Sequence, residues 1–114
     1  MVSRSSSRKK PYLVLSTVPS LKEAKIIAEV LISKRLAACV NIIPEVQSLF
    51  RWQGAVDQAK ELLLVIKTEA RLLKPLEKAI QKHHRYDIPE IVALPIAWGS
   101  KPYLNWLRDS LLSF

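Results

Sequence analysis

Ala37-Ala-Cys-Val-Asn-Ile-Ile-Pro44-Glu-Val-Gln-Ser-Leu-Phe-Arg-Trp52 is a run of sixteen residues that reads as extended chain. Gln53-Gly54-Ala55 supplies a turn, and Val56 to Thr68 is a second apolar run, so together they form a long β-hairpin. Pro44 has no N–H to give a ladder and marks a bulge or an edge position. Alternation puts Val40, Ile42, Val46, Phe50 and Trp52 on one face, with Cys39, Ile43 and Leu49 on the other. The second strand behaves likewise, with Leu62, Leu64 and Ile66 opposite Leu63 and Val65. A sheet that is apolar on both sides needs cover on both sides. Length adds a second argument. Sixteen extended residues span about 50 Å, whereas a domain of this size has a radius of gyration of about 13 Å. The hairpin must bend sharply or project, exposing strand edges that invite pairing. Self-association through it, as a closed symmetric ring, is therefore expected.

Upstream, Tyr12 to Val18 is a short β-type run closed by Pro19. Ser20 and Glu23 offer a capping box, and Leu21, Ala24, Ile27, Ala28, Leu31 and Ile32 recur at helical spacing, predicting a helix over 20–35. Downstream, Leu72, Leu73, Leu76, Ala79, Ile80 and His83 share a helical stripe, with Pro75 acceptable in its first turn. Tyr86 to Glu90 reads as a loop, Ile91 to Trp98 as a fourth strand, and Lys101 to Leu112 as a last amphipathic helix. The order is β-α-β-β-α-β plus a C-terminal helix. This predicts an α+β, ferredoxin-like sandwich with a long hairpin, forming one domain over 11–114. Two crossover helices cover one sheet face, and a third helix of about twelve residues is too short to cover all of the other.

Composition narrows the function. The net charge of +8 is uneven. Arg4, Arg8, Lys9 and Lys10 supply four of the 18 basic residues, so 14 basic and 10 acidic side chains remain from residue 11 onward. Residues 1–10 have little to bury and are expected to be a disordered basic tail. The folded part is only mildly basic, and the aromatic strand signature of ribonucleoprotein domains is absent, so no specific nucleic-acid partner is expected. No apolar run approaches the ~20 residues of a membrane span. Tyr12 to Leu15 is too short for a secretory core, which makes the cytoplasm the expected compartment. Cys39 is the only cysteine and makes no internal disulfide. There is no Ser-His-Asp order and no dense carboxylate cluster. Gly54 and Gly99 are the only glycines and make no phosphate loop, so an enzyme is not expected.

Leu36-Ala-Ala-Cys-Val-Asn-Ile-Ile-Pro44, Ser48-Leu-Phe-Arg-Trp-Gln-Gly54, Lys67-Thr68, Tyr86-Asp-Ile-Pro-Glu-Ile91 and Tyr103-Leu-Asn-Trp106 occur in order over about residues 12 to 110. This pattern resembles the CutA divalent-ion tolerance family. The resemblance implies a ferredoxin-like domain assembled as a homotrimer, linked in bacteria to tolerance of copper and other divalent metals, with no agreed catalytic activity. Animal members are linked instead to anchoring a cell-surface enzyme. The copper site of some members combines a cysteine late in the first strand with two adjacent histidines. His83 and His84 match the histidines, while Ser16 stands at the cysteine position, and a hydroxyl is a poor copper ligand. The family's His-Pro-Tyr after the second helix reads His84-Arg85-Tyr86 here.

Each candidate carries a plain structural use beside the functional one. Imidazole suits copper, zinc and nickel. Adjacent helical positions, however, diverge by about 100°, and a histidine in a last helical turn also complements the dipole. Cys39 is either a small buried hydrophobe or, if exposed, a soft ligand for Cu(I). Glu61 and Lys67 share a face with Leu63 and Val65, where they form an ion pair across a subunit interface, lie at a solvated strand end or, with Trp52 and Tyr86, line a cleft. Such a cleft would take a small anion or a metal complex, and the two aromatics also serve as interface anchors. The leading expectation is a trimeric, non-enzymatic protein of divalent metal homeostasis. The alternative is a sensor like the trimeric PII signalling proteins, taking a small anionic metabolite at subunit clefts.

Overall fold

The computed structural model describes residues 7–113. The first six residues of the expected basic tail lie outside the described residues. Residues 7–10 make a short helical turn in which the Lys10 amide donates to the Ser7 carbonyl. Four strands follow, β1 (Pro11–Val18), β2 (Cys39–Trp52), β3 (Ala55–Glu69) and β4 (Val92–Pro95), with helices α1 (Leu21–Ser33), α2 (Leu73–His83) and α3 (Lys101–Ser110). A 3-10 turn, Ala70–Leu72, leads into α2. The sheet order is β2-β3-β1-β4 and every pairing is antiparallel, as the ferredoxin-like reading requires.

Local signals explain the boundaries. The Ser20 hydroxyl accepts from the Glu23 amide at 3.2 Å and donates to Glu23 Oε2 at 3.1 Å, starting α1 where the capping box predicts. The helix ends in a Schellman motif, with Leu36 N–H on Leu31 O and Arg35 N–H on Ile32 O. Arg35 holds the left-handed φ of 58° that glycine usually takes there. Pro75 sits in the first turn of α2, where a missing N–H costs nothing. The fourth strand is shorter than the expected 91–98. β1 begins at Pro11 and pairs Tyr12 with Pro95, so β4 runs out of partner, and Pro95 has no donor to extend the ladder.

The hairpin projects rather than bends, and the domain measures 48 × 28 × 25 Å. Gln53 and Gly54 form a two-residue loop with φ of 50° and 80°, both positive as a type I′ turn demands. β2 is an edge strand and carries a bulge at Pro44-Glu45. Ile43 pairs with Leu63 and Val46 with Glu61, so β2 takes three steps where β3 takes two. Glu45 absorbs the extra residue with a φ of 62°. The expected alternation therefore fails beyond Pro44. Val40 and Ile42 face the helices, but Val46, Phe50 and Trp52 share the face of Glu61 and Leu63, because a one-residue slip reverses every later side chain.

The helix-covered face makes the core. Val14, Val18, Leu64 and Ile66 from the sheet pack with Ala24, Ile27 and Leu31 of α1 and Leu76, Ala79 and Ile80 of α2. On the other face α3 occupies only one end, where Arg108 reaches Glu69 at 3.3 Å. Beyond it Leu13, Leu15, Leu63 and Val65 are half-buried. Ile43, Val92 and Leu94 are 44, 49 and 43 % exposed. Burial stabilises by roughly 25 cal/mol per Å² of apolar surface, and this open face forgoes that gain.

Candidate functional site

The α2–β4 loop is bound to the open sheet face by a chain of hydrogen bonds. Tyr86 Oη donates to Glu61 Oε2 at 2.9 Å, and the Tyr86 amide donates to His84 Nδ1 at 3.0 Å. His84 Nε2 lies 2.8 Å from the Thr17 carbonyl. An amide only donates and a carbonyl only accepts, so these partners fix the neutral Nε2–H tautomer. The rings of His84 and Tyr86 are 4.9 Å apart and tilted by 44°. Glu61 is 6 % exposed, on a strand between apolar neighbours. Burial, and then the hydrogen bond to Glu61, push the Tyr86 phenol above its ordinary 10.0. Arg85, where the sequence pattern led one to expect proline, pairs with Glu23 at 3.3 Å and gives its amide to the same carboxylate.

A second cluster lies at the other end of the sheet. Lys67 Nζ donates to Asn41 Oδ1 and stands 3.9 Å from Cys39 Sγ, whose own contact with Asn41 Oδ1 is 3.8 Å. Cys39 is half-buried beneath α3, where burial and this neighbouring thiol push the Tyr103 phenol up. Glu61 and Lys67 are six residues apart on one strand, about 20 Å at strand spacing. Trp52 lies equally far the other way, at the hairpin tip opposite Ala55. One chain thus joins Glu61 to Tyr86 and Cys39 to Lys67, and leaves Trp52 apart from both. The sequence reading missed Asn41 and Thr17. Asn41 is signalled only by register, two residues from Cys39 on the same face.

The histidines are separated in role. His83 is half-buried at the last position of α2, while both nitrogens of His84 are engaged. For His84 to hold a metal it must give up the Tyr86 amide or the Thr17 carbonyl. Ser16 Oγ is fully buried on the core face and has no hydrogen-bond partner among the described residues. Among the same residues no group of three or more His, Cys, Asp and Glu side chains converges as a metal site. The donors of one chain do not fit a resident copper centre.

Comparison with known proteins adds to this geometry. The profile of the CutA1 divalent ion tolerance protein family matches residues 12–110. The divalent-cation tolerance protein CutA of Thermus thermophilus is 50 % identical over 98 residues, 86 % of this chain and 95 % of that protein. The chloroplastic protein CutA of Arabidopsis thaliana is 44 % identical over 106 residues, covering 92 % of this chain and 58 % of that protein. The chain thus spans nearly all of the bacterial relative and little more than half of the plant one. A solved structure of the divalent cation tolerance protein from Thermus thermophilus superimposes with a TM-score of 0.87 at 48 % identity, covering 89 % of this chain and 98 % of that one.

Proposed function

Since the chain belongs to the CutA1 divalent ion tolerance family, we propose that it works as a homotrimeric, non-enzymatic protein of divalent metal homeostasis in the cytoplasm. The observation that carries this reading is the open sheet face. Its aliphatic side chains, and the projecting hairpin that extends the same face through Val46, Phe50 and Trp52, need cover that one chain does not supply. Like copies provide it by symmetry, and a shared interface brings distant clusters of neighbouring chains together. No helix of the described residues is long and apolar enough to cross a membrane.

Metal is cargo or a regulator in this reading, met at His83 and at His84 once its bond to Tyr86 opens. Imidazole donors suit copper and zinc, and the hydrogen bonds that already hold His84 keep such contact weak. Native mass spectrometry of protein purified without a metal-affinity tag tests both parts, reporting subunit count and retained ion together. Trimers that take up copper or zinc, and lose that uptake in the His83→Ala/His84→Ala variant, support the proposal. Uptake unchanged by that variant removes the histidine site. A single-chain mass removes the assembly.

A further inference from the structure

A pocket of about 280 Å³ lies at the α3 end of the domain, apart from Glu61 and the histidines. Lys9, Arg35, Arg71 and Arg108 line it, with Asp109 as the one carboxylate in its wall among the described residues and Ser113 at its margin. Four elements meet there: the segment before β1, the Schellman turn after α1, the 3-10 turn, and the end of α3. A buried anion stands behind the wall. Glu69, 1 % exposed, takes Arg71 on Oε1 at 2.9 Å and Arg108 on Oε2 at 3.3 Å. Among the described residues, with Glu69 included, four cations stand against two carboxylates in a small space.

The guanidinium groups are held in place by the protein itself. Arg35 donates Nε to the Ser110 carbonyl at 3.1 Å and a terminal nitrogen to the Asp109 carbonyl at 3.0 Å, at the end of α3. Arg71 donates to the Leu112 carbonyl as well as to Glu69. Arg108 uses one of its five N–H donors on Glu69, and its side chain is 54 % exposed. Strapping the C-terminal segment explains the bonds of Arg35 and Arg71. It does not explain Arg108 or Lys9, which add charge to the same cavity. Ordered guanidinium groups in excess over carboxylates match the several oxygens and multiple charge of phosphate groups, often two at a time.

We propose that this pocket is an oxyanion site that takes a small phosphorylated molecule or inorganic polyphosphate, with Arg108 and Lys9 as its ligand-facing cations and Arg35 as a fixed wall. Inorganic pyrophosphate is the probe, titrated calorimetrically against the full chain at low salt. Saturable binding at one site per chain is expected. Arg108→Gln should weaken it about tenfold or more, the weight of one charge-assisted hydrogen bond, and Lys9→Gln should weaken it to a lesser degree. Arg108→Lys, which keeps the charge, should recover part of the loss. Removal of residues 1–6 should leave affinity unchanged, separating the pocket from the basic tail. Thermal melting of each variant checks folding, and Lys9→Gln, on an exposed residue, serves if Arg108→Gln fails to fold. Absence of saturable binding overturns the proposal, as does binding that survives Arg108→Gln and Lys9→Gln but is lost with residues 1–6.

Discussion

The Tyr86 phenol donates to Glu61 Oε2 across 2.9 Å, joining the loop after α2 to the middle of β3. Glu61 is otherwise a nearly buried carboxylate on the face of Val46 and Leu63, so this bond decides whether the site is tolerable. Tyr86→Phe removes the donor and leaves the acceptor in place. It is expected to lower stability by about 1–3 kcal/mol, read as a lower urea midpoint at unchanged slope.

The same contact gives a pH signature. Burial and Glu61 raise the folded Tyr86 phenol above the 10.0 of an unfolded tyrosine. Its contribution to stability is therefore complete below pH 10.0 and fades as pH rises through the higher folded value. Phenolate absorbance should show Tyr86 and Tyr103 titrating later than a free tyrosine, and Tyr86→Phe should remove the Tyr86 share of that late component while the Tyr103 share stays. A wild-type titration in which every tyrosine ionises at the ordinary value would contradict the assignment.

Ser16 presents the opposite case. Its hydroxyl is buried without a partner among the described residues, between Val14 and Val18 on the core face. Ser16→Ala is expected to raise stability by on the order of 1 kcal/mol, because it removes a desolvated group that makes no hydrogen bond. A drop of similar size in chemical denaturation would mean that the hydroxyl has a partner in solution.

Glu69 anchors two arginines from beneath, and both its oxygens are used. Glu69→Gln should cost about 1–3 kcal/mol, since it removes the buried charge that accepts from both Arg71 and Arg108. Thermal melting measures this directly, and loss of α3 packing should appear first as faster amide exchange over Lys101–Ser110.

Most of the fold was legible because its signals are local. Ser20 with Glu23 began α1, Gln53-Gly54 fixed the hairpin loop, and the stripe through Leu76, Ala79 and Ile80 gave α2. Pro44 announced a bulge, but the bulge's consequence was lost. Regular alternation through Pro44 places Val46, Phe50 and Trp52 on the helix-covered face, whereas the bulge turns them to the open one. The candidate site was legible only in pieces. Glu61 with Tyr86, and Cys39 with Lys67, do meet, and chain order gives the separation of Glu61 from Lys67 along one strand but not which distant partner each one takes. The tautomer of His84 depends on Thr17 and on a loop amide, and Thr17 is far from it in sequence.

The side chains that the bulge turns to the open face also offer a direct intervention. Val46→Ser/Phe50→Ser strips apolar surface from the tip while leaving the pairing of β2 with β3 in place. Helical and strand signals in circular dichroism should persist, while the proposed assembly should weaken by at least about tenfold. An unchanged assembly would show that the tip's apolar face takes no part in it.

The proposed trimer requires that further copies of the chain cover the aliphatic surface of Leu13, Leu15, Leu63, Val65 and Leu94. Static light scattering on the eluting peak at micromolar concentration measures this without labels or variants. The prediction is a particle three times the 13.0 kDa chain mass. A uniform 13.0 kDa species at that concentration would contradict it.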